Sequence, residues 1–325
     1  MKWFMRKSRA TTTLPALLGK LPGHADFVRA AGRSAAADVL DAWLVRAVGQ
    51  LTTATKPECL GSVAFSLCVQ AESRILLGIL EPSHDSQGRS FPSAVFREVA
   101  LDAWRPRLGE LWQRAAAFRT AARALVHELQ TQPAPPLSLS ELTQRLEALP
   151  DLDASGTDAS GTWANVPAGE FLGATLDTSV PENMYYALAT LRAAFADATP
   201  PEGLALSCPS RDHDDAGRWL QLAAGAAARP HARVRQRLTP SAFYALDLGR
   251  SVISVSCPAP DVLRALTDTD YRPAQLWPLT TQQRAARDLA RAQLLPIVPE
   301  LASSTRALDL HTLAERLAHT ERTAL

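Results

Sequence analysis

Apolar residues recur at helical spacing between Ser34 and Leu51, where Val39, Leu40, Trp43, Leu44, Ala47, Val48 and Leu51 share one face. Ser34 stands just ahead of that face as an N-cap. The period then drops to two. Val63, Phe65, Leu67 and Val69 alternate with smaller residues, which predicts a strand with one buried face. Residues 74–80, RILLGIL, are apolar almost throughout and bounded by turn residues, so they predict a strand buried on both faces. Residues 91–99, FPSAVFREV, predict a third strand. A long helix follows, with Trp104, Leu108, Leu111, Ala115, Phe118, Ala122, Leu125 and Leu129 at alternating steps of four and three. The stripe suits a coiled-coil seam or a helix laid across a sheet, and the alanines within it favour the second. Pro106 fits only near the first turn of this helix.

The pattern breaks at residues 131–140, TQPAPPLSLS, a proline-rich stretch that predicts a linker. Ser138 and Glu141 then have capping-box spacing ahead of a short helix, ELTQRLEAL. Residues 151–162 carry a small tandem, ASGT-D-ASGT, that reads as a loop. Beyond it the chain predicts a helix over about 182–197, a strand at 203–208, a helix from Asp212, a strand at 250–257 and a helix from Asp261. Two amphipathic helices follow Thr280. This divides the chain into an α/β domain over 1–132 and a second, smaller α/β lobe over 133–325 that ends in helices. A protease-stable fragment ending near residue 130 is the corresponding expectation.

Composition narrows the function more than the fold. A length of 325 residues suits two domains, and 46% apolar residues are enough for a sizeable core. The 34 basic and 33 acidic residues nearly cancel, so no global field draws in nucleic acid or an anionic membrane. Arginine supplies nearly all the positive charge, since the only lysines are Lys2, Lys7, Lys20 and Lys56. Cys59, Cys68, Cys208 and Cys257 form no CxxC pair; two of them fall inside strand-like runs, where a thiol behaves as a small hydrophobe, and a chain this long needs no disulfide staples. The N-terminal stretch is basic but has no apolar run of signal-peptide length. No segment approaches the roughly 18 to 20 apolar residues of a spanning helix. A cytoplasmic protein without membrane insertion is expected.

Candidate chemistry concentrates around residues 81–95, EPSHDSQGRSFPSAV. Ser83, His84 and Asp85 are consecutive, whereas a catalytic triad needs side chains that converge from separate segments. No GxSxG elbow occurs. His24 with Asp26, His84 with Asp85, and DHDD at 212–215 are the possible metal ligands. They keep a metal-dependent hydrolase open as an alternative. The acids of DHDD also suit the first turn of a helix, where they interact favourably with its dipole. Asp151, Asp153, Ser155 and Gly156 start like a calcium loop, but Asp158 and Thr162 break the pattern. Gly19-Lys20 lacks the partner glycine and the Ser or Thr of a phosphate loop, and no GxGxxG joins a strand to a helix. Neither catalysis nor a cofactor nor a bound metal is expected.

Two segments together resemble a known family. GKLPGHADFVR, residues 19–29, is similar to the N-terminal signature of the type VI secretion-associated TagF (ImpM) family. PSHDSQGRSFP, residues 82–92, resembles its second signature. The matching positions are Gly19, Lys20, Leu21, Pro22, Asp26, Phe27 and Val28, then Pro82, Ser83, Asp85, Gly88, Arg89, Phe91 and Pro92. Ala25 stands where that family usually has a glycine. The resemblance covers residues 17–130 and is faint beyond the linker. It implies an αβα sandwich with a mixed sheet, likened to the longin or SNARE-like fold. It also implies a post-translational repressor of type VI secretion that engages the forkhead-associated scaffold protein of that system. On this reading the signature positions form a binding surface, with Asp85 and Arg89 pairing across the second loop. A structural subunit that assembles through its helices is a further alternative.

Overall fold

The computed structural model describes residues 13–51, 60–131, 136–152, 166–176, 180–196, 199–228, 238–302 and 308–319. Nine strands form one sheet: β1 (Ala16–Gly19), β2 (Val28–Ala30), β3 (Val63–Val69), β4 (Arg74–Glu81), β5 (Ser93–Ala100), β6 (Ala205–Pro209), β7 (Ser241–Ala245), β8 (Arg250–Ser254) and β9 (Leu276–Pro278). Their order across the sheet is β2-β1-β5-β4-β3-β7-β8-β6-β9. Neighbours run antiparallel except β6 and β9, which are parallel, so the sheet is mixed. The helices are α1 (Ala35–Gly49), α2 (Leu101–Trp104), α3 (Leu108–Arg114), α4 (Ala116–Thr131), α5 (Leu139–Glu147), α6 (Ala168–Thr175), α7 (Pro181–Ala194), α8 (His213–Ala227), α9 (Val262–Thr267), α10 (Arg284–Leu294) and α11 (Leu310–His319).

The central strands are apolar on both sides because both sides are covered. β3 contributes Val63, Phe65, Leu67 and Val69 to one core and Ala64 and Cys68 to the other. In β4, Leu76 and Leu80 go one way and Ile75, Leu77 and Ile79 the other. One core is closed by Leu40, Trp43 and Leu44 of α1 and by Val262, Leu263 and Leu266 of α9. The other is closed by Phe118 and Val126 of α4 and by Trp219 of α8, among others. The sheet lies between two helical layers, and the expected αβα sandwich is what the chain forms.

Several local expectations hold for the reasons given. The Ser34 side chain accepts from the Ala37 amide 3.0 Å away, capping α1. Ser138 and Glu141 close a full capping box on α5. Asp212 caps α8 through the Asp215 amide. The long helix over 104–129 does not run unbroken. Pro106 forces a 3-10 turn between α2 and α3. At Ala115 the path breaks again, and the Trp112 carbonyl accepts from the Arg119 guanidinium, a side-chain intrusion of the kind that bends helices.

The two halves do not form two sheets. Along the β3 edge, Val63 to Ser66 pair with Ala245 to Ala242 of β7, so the strands of the C-terminal half extend the N-terminal sheet. One core spans both, from Leu17 and Trp112 to Trp219 and Leu317. Trp43 of α1 stacks on Phe243 of β7, with ring centroids 5.1 Å apart. The division at 132/133 therefore separates segments that share a sheet and a core, and the expected fragment ending near residue 130 would bare the whole paired edge of β3. Beyond that division, α5 still packs on β1 and β2. Arg97 of β5 fastens its end by donating to the Leu149 and Pro150 carbonyls at 3.0 and 3.2 Å. Part of the proline-rich linker (132–135), and the tandem and calcium-like stretch from Asp153 to Thr162, lie outside the described residues.

Candidate interaction site

The two segments singled out in the sequence are bound to each other. β1 ends at Gly19, whose φ of +130° disfavours any side chain; a Cβ there would lie 2.3 Å from the Pro92 carbonyl oxygen. That close approach brings Lys20 against the second loop. Its carbonyl accepts from the Ser83 and Ser93 hydroxyls at 2.6 and 2.5 Å. Its side chain turns inward, only 9% exposed, and the ammonium lies 2.9 Å from an Asp85 oxygen. Gly19→Ala is expected to cost about 2 kcal/mol or more, because strain at a positive φ adds to a backbone clash. Denaturant unfolding checks this. A change within about 0.5 kcal/mol would show that the close approach to Pro92 contributes little.

Asp85 is the centre of the arrangement. One carboxylate oxygen accepts from the Gln87 and Arg89 amides at 3.0 and 2.9 Å. The other accepts from Lys20 and from Arg89 Nε at 2.7 Å. All roughly four lone-pair directions of the carboxylate are thus occupied by protein donors. Burial by itself favours the neutral acid. The hydrogen bonds from Lys20, Arg89 and Gln87 outweigh it and hold the carboxyl well below the usual carboxylate range. The expected pairing of Asp85 with Arg89 exists, and Lys20 completes it from the other segment. Lys20 is the sole lysine among the described residues; sequence spacing alone did not link it to Asp85.

The loop closes on itself and on the first segment. Gly88, at φ +73°, donates to the Asp85 carbonyl, and Phe91 donates to the Ser83 carbonyl. The Ser86 amide donates to the His24 carbonyl at 2.9 Å, and Arg89 Nη2 donates to the Ala25 carbonyl at 2.6 Å. From α4, Gln130 donates to the Pro82 carbonyl at 2.6 Å. Phe27 meets Phe91 edge-on, with centroids 4.8 Å apart. Ala25 is not among the non-glycine residues with positive φ, which are Ala31 and Ser73 among the described residues. The alanine there needs no altered turn.

Burial sorts the signature positions into two groups. Gly19, Lys20, Leu21, Ser83, Asp85, Phe91 and Pro92 are buried, and Pro22 and Pro82 are half-buried. Asp26, Phe27, Gly88 and Arg89 face outward, beside His84, Ser86 and Gln87. Arg89 also lies 3.7 Å from Asp26. The set His24, Asp26, His84 and Asp85 does not assemble as ligands, since Asp85 is turned inward and saturated. Among the described residues no group of three or more His, Cys, Asp or Glu side chains is placed to hold a metal ion. In the DHDD stretch, Asp215 is buried between Arg211 and Arg218, at 3.0 and 2.8 Å.

Residues 16–149 match the family model of the TagF N-terminal domain, described as type VI secretion system-associated. The chain carries a TagF N-terminal domain. The matched span includes both signature segments and runs on through α5, in keeping with the packing of that helix on β1 and β2. Among solved structures, the crystal structure of PA0076 from Pseudomonas aeruginosa PAO1 is similar, with 16% identity and a TM-score of 0.44. That likeness covers 80% of this chain and 96% of the other. No curated protein matches the chain.

Proposed function

We propose that this protein is an accessory regulator of the type VI secretion system that acts by protein–protein contact rather than by catalysis. The TagF N-terminal domain supports the association with that system. The observation that carries the contact mechanism is the outward side of the clasp. Phe27 is 53% exposed yet held against buried Phe91, and Arg89 is held by Asp85 and the Ala25 carbonyl beside it. An aromatic ring and an arginine on a rigid base lose little entropy on association and are the residue types that dominate interface energetics.

The finer reading is a post-translational repressor that holds the forkhead-associated scaffold protein of the secretion system, in the cytoplasm. No helix among the described residues is long and apolar enough to cross a membrane, which is compatible with that setting. The test is calorimetric titration of the purified forkhead-associated protein into the parent, Phe27→Ala and Arg89→Ala proteins. Each substitution is expected to weaken binding at least about tenfold; Phe27→Ala should leave the melting temperature nearly unchanged because its ring lies largely outside the core, whereas Arg89→Ala also lowers it by removing the bond to buried Asp85. Equal affinity in all three would place the contact elsewhere on the chain. Absence of binding by the parent would remove this partner.

A further inference from the structure

A second feature lies away from the clasp, at the corner of the sheet where β6, β8 and β9 pass the end of α9. Side chains alternate between the two faces along each strand. Val252 of β8 and Ala205 of β6 belong to the core closed by α1 and α9, so Arg250 and Ser207, each two residues away, share that face. Leu276 of β9 lies on the same side. A cleft of about 300 Å³ opens there, with Arg250, Arg272, Ser207 and Thr280 on its walls beside apolar Leu276 and Pro278.

The positive charge in this cleft is unmatched. Arg250 Nη1 donates to the Leu266 carbonyl, in the last turn of α9, at 3.3 Å. Its Nε and Nη2 have no acceptor among the described residues and are not sealed from solvent. These two N–H groups share the other edge of the guanidinium and form a fork. Arg272, exposed, donates only to the carbonyl of its neighbour Tyr271, at 3.2 Å. Neither arginine forms an ion pair with a described carboxylate. Asp268 is the carboxylate that acts on Arg250, but Arg264 at 3.5 Å and the Asp270 and Tyr271 amides already engage it. Burial and the charge of Arg272 hold the Arg250 pKa below its ordinary value, with Asp268 opposing them. An anion placed between the two guanidinium groups would relieve that repulsion.

We propose that this cleft binds the phosphoryl group of a small ligand, with the Arg250 fork as anchor and Arg272 as the second cation. Two guanidinium groups without a carboxylate partner suit a dianion better than a monoanion. A tetrahedral phosphoryl group offers two oxygens to the fork and leaves a third for Arg272 and the Ser207 hydroxyl. The volume is at the small end for ligand sites, which limits the rest of the ligand to a few atoms against Leu276 and Pro278. The site is independent of the clasp and of the secretion partner.

The test is calorimetric titration of the full chain with inorganic phosphate, glycerol 3-phosphate and acetate at about pH 8, where phosphoryl groups are mostly dianionic. Phosphate is expected to bind with a Kd of about 1 mM, within reach of so small a ligand, and acetate at least about tenfold more weakly. Tighter binding of glycerol 3-phosphate than of phosphate would assign a phosphomonoester as the ligand, and the reverse order the free ion. Arg272→Ala, at an exposed position, is expected to fold and to weaken phosphate binding at least about fivefold. Ser207→Asp sets a carboxylate beside the fork and is expected to abolish binding, even if Arg250→Met, which removes the anchor, does not fold. The proposal is overturned if phosphate gives no saturable heat up to about 50 mM, well above the expected Kd. Acetate binding as tight as that of phosphate, or unchanged affinity in Arg272→Ala or Ser207→Asp, would overturn it as well.

Discussion

Asp85→Ala is expected to lower the melting temperature by at least about 5 °C, since it strands a buried ammonium and frees two loop amides at once. Lys20 has nowhere to turn: its side chain is 9% exposed and its carbonyl is pinned by Ser83 and Ser93. Lys20→Met should be milder, because Asp85 keeps Arg89 and the Gln87 amide. The double variant should cost less than the sum of the two, the signature of a directly coupled pair. Additive losses in the melting curves would mean that the pair contributes no coupling.

Acid should reproduce part of the effect. The folded Asp85 carboxyl is held below its unfolded value, near 3.9 for a free aspartate. The unfolded chain therefore takes up the proton first as pH falls. The stabilisation is full above about pH 5, declines through about pH 4, and is lost only below the depressed folded value. Asp85→Asn removes this dependence. The gap in melting temperature between parent and Asp85→Asn should stay level from pH 6 to about pH 5 and then shrink steadily towards about pH 2.5. A gap that stays constant below about pH 5 would show that the charge on Asp85 is not what stabilises the clasp.

How much of this was legible follows from the range of each signal. The elements around α1, β3, β4 and α8 were readable because periodicity and caps are local, and Ser34, Asp212 and Ser138 mark helix starts within a few residues. β1, β2 and β9 are three or four residues long, too short for a period to show. The pairing of β3 with β7 joins residues almost 180 positions apart, and no spacing rule reaches that far. At the site, the Asp85–Arg89 pair lies within one turn and could be read. The Lys20 contact depends on Gly19 letting β1 press against Pro92, a long-range approach that only coordinates reveal. Arg119 looked like one more polar position on an amphipathic helix. Its burial follows from the break at Ala115 and from α8, which close over it from outside its own segment.

That long-range pairing leads to the second large effect. Phe243→Ala is expected to destabilise the protein by about 3–5 kcal/mol, the usual cost of emptying a fully buried phenylalanine site. Phe243 is 0% exposed, stands opposite Phe65 across the β3–β7 ladder, and stacks on Trp43 from α1. Neighbours on both sides of the 132/133 division lose contacts together, so the loss should fall on both halves of the chain. The clasp sits in the same sheet two strands from β3, and nothing in the β1–β5–β4–β3 run interrupts the ladder. A single transition should therefore shift as a whole in calorimetry, with tryptophan fluorescence and far-ultraviolet circular dichroism moving at the same temperature. Two separated transitions, the later one unmoved by the substitution, would show instead that the N-terminal domain folds without its C-terminal strands.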